Sequence, residues 1–297
     1  MYATDGSERA EEGARFLAAR LPLGAESVIT VMSVAPLDQG TPQDLHRAWD
    51  VARQLLKGSS ARLTHHVRSG PAAETILVES REEPTDLIVL GDTSRSGSAR
   101  RLLGGVSDRV ARHAHCSVLI ARPLRSGALQ NVVVGFDGSR EAERALRTLV
   151  ALPLPPTCRV HLVTVVPSAT AKAATAMREA AHYALSFVAD ELKSLGRRAS
   201  VADIPHVGKM IEEPTEELSS SAFPEVQGRW CVSPSARLVR IGDPTTELLA
   251  AAEEVRADLI VVGARGQSPR TLLLGSVSER ILRNASCSVL CVRSEEL

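Results

Sequence analysis

The apolar positions of this chain gather into short unbroken runs. Asp258-Leu259-Ile260-Val261-Val262 is one; Asn131 to Phe136, Val160 to Val166, Arg237 to Ile241 and Val289 to Val292 are others. Near-continuous apolar runs of this length describe strands buried on both faces. Between them lie segments of helical periodicity: Glu141 to Leu152, Ala171 to Leu195, Thr245 to Val255 behind Pro244, and Val277 to Asn284. Proline suits the first helical position because its missing N–H would have no intrahelical partner there. Strands separated by helices in this way predict an α/β fold, a parallel sheet covered on both faces.

The pattern occurs twice. Ala3-Thr4-Asp5-Gly6-Ser7-Glu8 recurs as Gly135-Phe136-Asp137-Gly138-Ser139-Arg140, and Asp86 to Gly91 recurs as Asp258 to Gly263. Leu102 to Arg109 recurs as Leu273 to Arg280, and Cys116-Ser117-Val118-Leu119 as Cys287-Ser288-Val289-Leu290. Four matches in the same order indicate a duplication. Its boundary falls in Pro123 to Leu129, giving domains 1–123 and 130–297. The copies differ in two places. An insertion lies at about 200–233, rich in Pro, Glu and Ser and without periodicity, and reads as a mobile segment. The first copy has only Met1 to Thr4 where the second has Asn131 to Phe136. A central strand that short implies either that Met1 is not the natural start or that the first sheet is defective.

The chemistry begins at the end of the Leu259 run. Gly263-Ala264-Arg265-Gly266 follows it, and Gly275-Ser276 then opens a helix. Glycines let backbone approach a ligand closely, and a helix start presents N–H groups without partners, so the segment reads as a phosphate cradle. A worn version runs from Gly91 to Ser107.

Composition narrows the partners. Lys plus Arg and Asp plus Glu number 35 each, so no global field favours nucleic acid or an anionic membrane. The 44% hydrophobic and 3% aromatic content suits a Val, Ile, Leu and Ala core. No apolar leader opens the chain and no run approaches the roughly 18 residues of a membrane span, which predicts a cytoplasmic location. Five cysteines without a Cys-x-x-Cys argue against disulfides and zinc knuckles. His113, His115 and Cys116 are matched in the second copy by Asn284, Ser286 and Cys287, so no metal site is expected.

With these residues in view, the chain resembles a tandem universal stress protein. The resemblance covers both halves apart from the insertion. Nucleotide-binding members of that family carry G-x2-G-x9-G-[ST] after the fourth strand. Gly263, Gly266, Gly275 and Ser276 fit with one residue fewer in the spacer, trimming the crown at Gln267 to Thr271. The family implies two tandem Rossmann-like domains of the adenine nucleotide alpha hydrolase type, each a five-stranded parallel sheet of order 3-2-1-4-5. In that order the winding reverses between strands 1 and 4, where ligands of open α/β sheets bind. Asp137 and Gly263 end those two strands, so their motifs should meet in one crevice.

The resemblance therefore implies ATP, with Mg2+ bridging its phosphates. Gly263, Gly266 and the N–H groups of Gly275, Ser276, Val277 and Ser278 would hold the triphosphate. The Ser276 and Ser278 hydroxyls would add hydrogen bonds, and Arg265 would add charge. By resemblance, Asp137 and the Val165 backbone sit at the nucleoside end, with Phe136 or Val262 lining the slot. The weaker equivalent in the first half comprises Asp5, Val34, Gly91, Ser94, Gly104, Gly105, Val106 and Ser107; there Ser94 replaces a glycine and Gly105 replaces the Ser or Thr. Structural roles stand beside these: Asp5 and Asp137 as turn and capping residues, Gly263 and Gly266 as turn formers, Ser276 as an N-cap.

No lysine follows the glycines as in a Walker motif, and no catalytic residue is assigned. The expected function is ATP binding in stress-response regulation, not enzymatic turnover. A slow ATPase or phosphotransferase and a nucleotide-free interaction module remain the alternatives. Family members commonly dimerise through the last strand, which implies an internal pseudo-dimer in which Val118 to Ala121 pairs with Val289 to Val292. A further homodimer is left open.

Overall fold

A computed structural model of the chain describes residues 1–20, 24–35, 43–92, 104–123, 129–152, 158–166, 231–232, 239–266 and 274–293. The expected helix Ala171 to Leu195, nearly all of the insertion, Ser94 and the loop crown lie outside them.

In the first half the elements are β1 (Tyr2–Ala3), α1 (Glu11–Arg20), β2 (Val28–Ala35), α2 (Gln43–Leu55), β3 (Arg62–Ser69), α3 (Ala72–Glu82), β4 (Leu87–Gly91), α4 (Gly105–His113) and β5 (Ser117–Ala121). The second half supplies β6 (Asn131–Gly135), α5 (Arg140–Ala151), β7 (Arg159–Val166), β8 (Cys231–Val232), β9 (Val239–Ile241), α6 (Pro244–Glu254), β10 (Leu259–Gly263), α7 (Ser276–Asn284) and β11 (Ser288–Val292). The strands join in the order β3-β2-β1-β4-β5-β11-β10-β6-β7-β8, with β9 also paired to β7.

All pairings within each half are parallel. The first half runs 3-2-1-4-5, and its short β1 pairs with both β2 and β4. The α-amino group of Met1 donates to Leu87 O, and Val89 N–H donates to Met1 O, so the ladder extends one residue past β1. In the second half two short strands lie along β7 where one strand was expected over Arg237 to Ile241. β8 pairs with its start through Arg159 and Val160; β9 pairs with its end through Thr164 to Val166. Six residues, 233–238, separate the two segments, so the strand expected over Arg237 to Ile241 accounts for only one of them.

The halves join where β5 and β11 run antiparallel, with Ile120 opposite Val289, Leu119 opposite Leu290 and Val118 opposite Cys291. The apolar core on each face of the sheet therefore runs through both halves. On one face Tyr2, Phe16, Leu119, Leu149, Leu259 and Leu290 belong to a single buried cluster; on the other Ile88, Ile120, Ile260 and Val289 do.

Polar groups repeat across this seam with pseudo-twofold symmetry. Arg122 N–H donates to Ser288 Oγ (3.1 Å), and Arg293 N–H donates to Ser117 Oγ (3.2 Å). Arg122 Nη1 donates to Cys287 O and Nη2 to Leu282 O, while Arg293 Nη2 donates to Ala111 O and Arg112 O. Leu282 lies near the end of α7, and Ala111 and Arg112 near the end of α4. Each guanidinium thus sits on the helix-terminal carbonyls of the other half, where the helix dipole favours a cation. Outside them, α4 and α7 exchange the ion pairs Arg112–Glu279 and Arg283–Asp108.

The repeat breaks at one place. Arg122 Nε donates to Asp92 Oδ2 at 2.7 Å in a pair that is almost wholly buried. In the second half Ala264 stands in the place of Asp92, and among the described residues none accepts a hydrogen bond from Nε of the buried Arg293. Arg122→Met should cost about 3–5 kcal/mol in urea unfolding, because it removes the cation balancing a buried carboxylate. Adding Asp92→Ala should recover part of the loss; a single-variant cost below about 1 kcal/mol would contradict this account of the seam.

Candidate functional site

The crevice is built by two turns that the sheet brings together. After β6, Asp137 Oδ1 accepts from Ser139 N–H (3.0 Å), Gly138 takes the left-handed φ of 75°, and Ser139 Oγ accepts from Ala142 N–H (3.1 Å). The turn thus caps α5. The first half repeats it with Asp5 Oδ1 accepting from Ser7 N–H (2.9 Å), Gly6 at φ 77° and Ser7 Oγ accepting from Ala10 N–H (3.3 Å). Both aspartates therefore have a local role in closing the turn, and the serine two residues on accepts from the N–H groups of the following turn.

The turn engages Oδ1 of Asp137. Its Oδ2 faces Gly266, where an added Cβ would stand only 2.6 Å away. The Asp-Gly-Ser turn and the glycine loop thus meet at the carboxyl ends of β6 and β10, which pair directly. Phe136 is buried and continues the ladder, its N–H donating to Val163 O (2.9 Å). Val262 is buried one residue before the end of β10, and the half-buried Val165 lies beside Arg240 of β9.

The glycines answer to backbone crowding. A Cβ on Gly263 would fall 2.8 Å from the carbonyl carbon of Glu141, so the start of α5 lies directly on the end of β10. On Gly91 it would fall 2.2 Å from Arg9 O, a still closer contact in the first half. Gly275 caps α7 without a side chain, whereas Ser139 caps α5 and Asp243 caps α6 through their oxygens.

Three expected roles need correction. Gly275 N–H donates to Ala264 O (2.7 Å), closing the loop on itself, so it does not face a ligand. The hydroxyl of buried Ser278 donates to Gly263 O (2.7 Å), as Ser107 does to Gly91 O (3.1 Å), pinning helix to strand. Ser276 is the first residue of α7 and not its cap, which is Gly275. The outward donors that remain are the N–H groups of Ser276, Val277 and Ser278 in the first turn.

Arg265 is held by Glu141, which the sequence reading missed. Its N–H donates to Glu141 Oε2 (2.7 Å), and its Nε lies 3.3 Å from Glu141 Oε1, both side chains being largely buried. An acid in the first turn of α5, facing an arginine in the glycine loop, was the available signal.

Of the first-half set, Gly104 caps α4, Gly105 begins it, and Val106 and Ser107 fill its first turn. Val34 is half-buried near the end of β2. Asp92 was also missed, and it places a buried carboxylate one residue beyond Gly91. His113, His115 and Cys116 form no ligand cluster among the described residues, and burial pushes the Cys116 thiol up to about 11.

This architecture defines a class: tandem doubly wound α/β domains whose winding reverses beside a glycine-ended strand. The model of the universal stress protein family matches residues 1–122 and again 128–293, and the chain belongs to that family. Universal stress protein A homolog 2 of Coxiella burnetii is 33% identical over 147 residues, 50% of this chain and 94% of the relative. A universal stress protein of Mycobacterium tuberculosis is 27% identical over 253 residues, 82% of this chain and 74% of the relative. Among solved structures, a universal stress protein from Archaeoglobus fulgidus matches 98% of this chain and 97% of its own. Its TM-score is 0.60 and its identity 20%, a likeness of fold. No described helix is long and apolar enough to cross a membrane.

Ser278→Ala should lower stability by about 1–3 kcal/mol in urea unfolding, because the Gly263 carbonyl loses its only described side-chain donor. A change within about 0.5 kcal/mol would show that this hydroxyl does not pin the loop.

Proposed function

We propose that the second half binds ATP in the crevice between the Asp137 turn and the glycine loop, and that the protein acts in stress-response regulation through that occupancy. The observation that carries the reading is the Asp137 carboxylate standing over Gly266, next to a helix start that no side chain caps. Phosphates would receive the N–H groups of Ser276, Val277 and Ser278, where the dipole of α7 favours negative charge. Asp137 Oδ2, Phe136, Val165 and Val262 would face the nucleoside. Magnesium would arrive with the phosphates it bridges and need few protein ligands.

Arg265 would contribute charge only in competition with Glu141, since the two are already paired. The first half is the weaker candidate. Its loop begins with the buried Asp92 carboxylate, and Gly91 sits tightly against Arg9. Turnover would need a general base close to the phosphates. Asp137 and Glu141 are acids placed there among the described residues, one closing the turn before α5 and the other paired with Arg265. Binding without appreciable hydrolysis follows.

Equilibrium titration of the full chain with ATP should give one site. Ser276→Pro tests the phosphate end selectively: it deletes one N–H at a position where helices accept proline, behind a Gly275 already extended at φ −66°, ψ 151°. It should weaken ATP roughly 10- to 100-fold, as expected for a lost hydrogen bond to a charged group, whereas Ser276→Ala should weaken it only slightly. No binding by the unaltered chain would remove the proposal. Steady phosphate release abolished by Asp137→Ala would make the protein an enzyme instead.

A further inference from the structure

Far from the crevice, β3 forms the outer edge of the first half's sheet, and its alternate residues face different helices. His65 stacks on Trp49 of α2, with ring centroids 5.0 Å apart and planes at 4°. His66 and Arg68 point instead at α3. There Glu79 and Glu83, four residues apart, share one side of the helix end. Pro84 follows, so the chain leaves the helix at Glu83, which is extended at φ −109°, ψ 137° and keeps its N–H on Glu79 O.

We propose that His66, Glu79 and Glu83 form a binding site for a divalent transition metal of the zinc type. Their ligand atoms all lie within 4.8 Å of one another. His66 Nδ1 stands 3.2 Å from Glu83 Oε1 and 3.7 Å from Glu79 Oε2. Nitrogen and oxygen ligands around tetrahedral zinc, each about 2.1 Å from the metal, stand about 3.4 Å apart, so a small adjustment of two carboxylates would complete the arrangement.

Two further observations point to a cation. His66 Nδ1 is shielded from solvent and, despite its nearness to both carboxylates, makes no hydrogen bond to either. A ring nitrogen this close to two carboxylate oxygens, with neither placed to hydrogen-bond to it, leaves the position between the three atoms to a shared cation. The carboxylates also stand at the C-terminal end of α3, where the helix dipole makes negative charge unfavourable unless a positive partner is present. Arg68 supplies part of that charge. It engages both oxygens of the buried Glu79, holding the carboxylate as outer-shell donors hold metal ligands, and leaves Glu83 unbalanced. One imidazole with two carboxylates suits zinc, cobalt or a similar ion over magnesium or calcium, which prefer oxygen alone. The more exposed Glu83 side leaves room for water as a fourth ligand.

The test uses the full chain freed of metal with a chelator. Zinc titrated by calorimetry should bind at one site per chain. Cobalt should give the visible absorption of a tetrahedral ion without the charge-transfer band of thiolate ligation, which separates this site from the cysteines. Glu83→Gln, a change at an exposed helix end, should weaken zinc at least 10-fold, and His66→Ala should abolish the cobalt spectrum. Circular dichroism of both variants should match the parent, and ATP titration should be unchanged. Absence of a one-to-one site in the parent, or affinity indifferent to both substitutions, would overturn the assignment and leave a simple ion-pair cluster.

Discussion

An edge strand leaves a row of N–H and C=O groups without partners, and an open five-stranded sheet has two such rows. Pairing β5 with β11 removes one from each half. The consequence is more than two buried edges. Because the strands run antiparallel, the start of β5 lies beside the end of β11, and the reverse. The C-terminus of each half's last helix is therefore brought to the arginine that follows the other half's last strand. Arg122 and Arg293 can reach across only because of that register. The core on both faces of the sheet is continuous for the same reason. Each half's β4 or β10 then packs directly behind the seam strand, so the position of the crevice follows from the seam as well.

Inside the crevice, satisfying backbone groups decides which atoms are available. Gly275 N–H closes onto Ala264 O, Ser278 closes onto Gly263 O, and Ala264 N–H continues the ladder to Val292 O. These bonds fix the loop at both ends. The first-turn donors of α7 receive no side-chain oxygen from its cap, because that cap is a glycine. A serine or aspartate at 275 would satisfy one of those donors and narrow the site. The glycine there preserves the vacancy as well as permitting close approach to Ala264 O, 3.3 Å from where a Cβ would be.

Much of the fold was legible because each strand is a local apolar run and the duplication locates every element twice. The seam was foreseen from the family resemblance, whose members commonly dimerise through the last strand, and the duplication allows that contact within one chain. The meeting of Asp137 with Gly266 was legible through topology, since strands 1 and 4 are neighbours in that order. Side-chain direction was not. Nothing local says that the Ser278 hydroxyl turns inward or that Glu141 closes on Arg265, because both depend on how tightly α5 and α7 lie against the end of β10. The pairing of β8 with β7 was equally hidden, since two residues, Cys231 and Val232, are too short a run to signal a strand. His66 and Glu83 escaped notice because their closeness is created by edge-strand packing and not by spacing.

The duplication also provides a comparison that single-domain reasoning lacks. Both halves keep the turn aspartate, the glycine at the strand end and the inward serine, so these features belong to the shared framework. What differs is charge. The first half places Asp92 at its strand end and uses it to neutralise Arg122. The second half has Ala264 there, keeps Arg293 buried with its pKa pulled down by desolvation, and balances the loop's own Arg265 with Glu141 from α5. Arg122 is thus committed to a carboxylate of its own half's strand end, while Arg265 is held by a carboxylate from a neighbouring helix. The two copies differ in which group neutralises the arginine near the strand end, and on the proposed reading of the second crevice that difference, more than the glycines they share, separates it from the first.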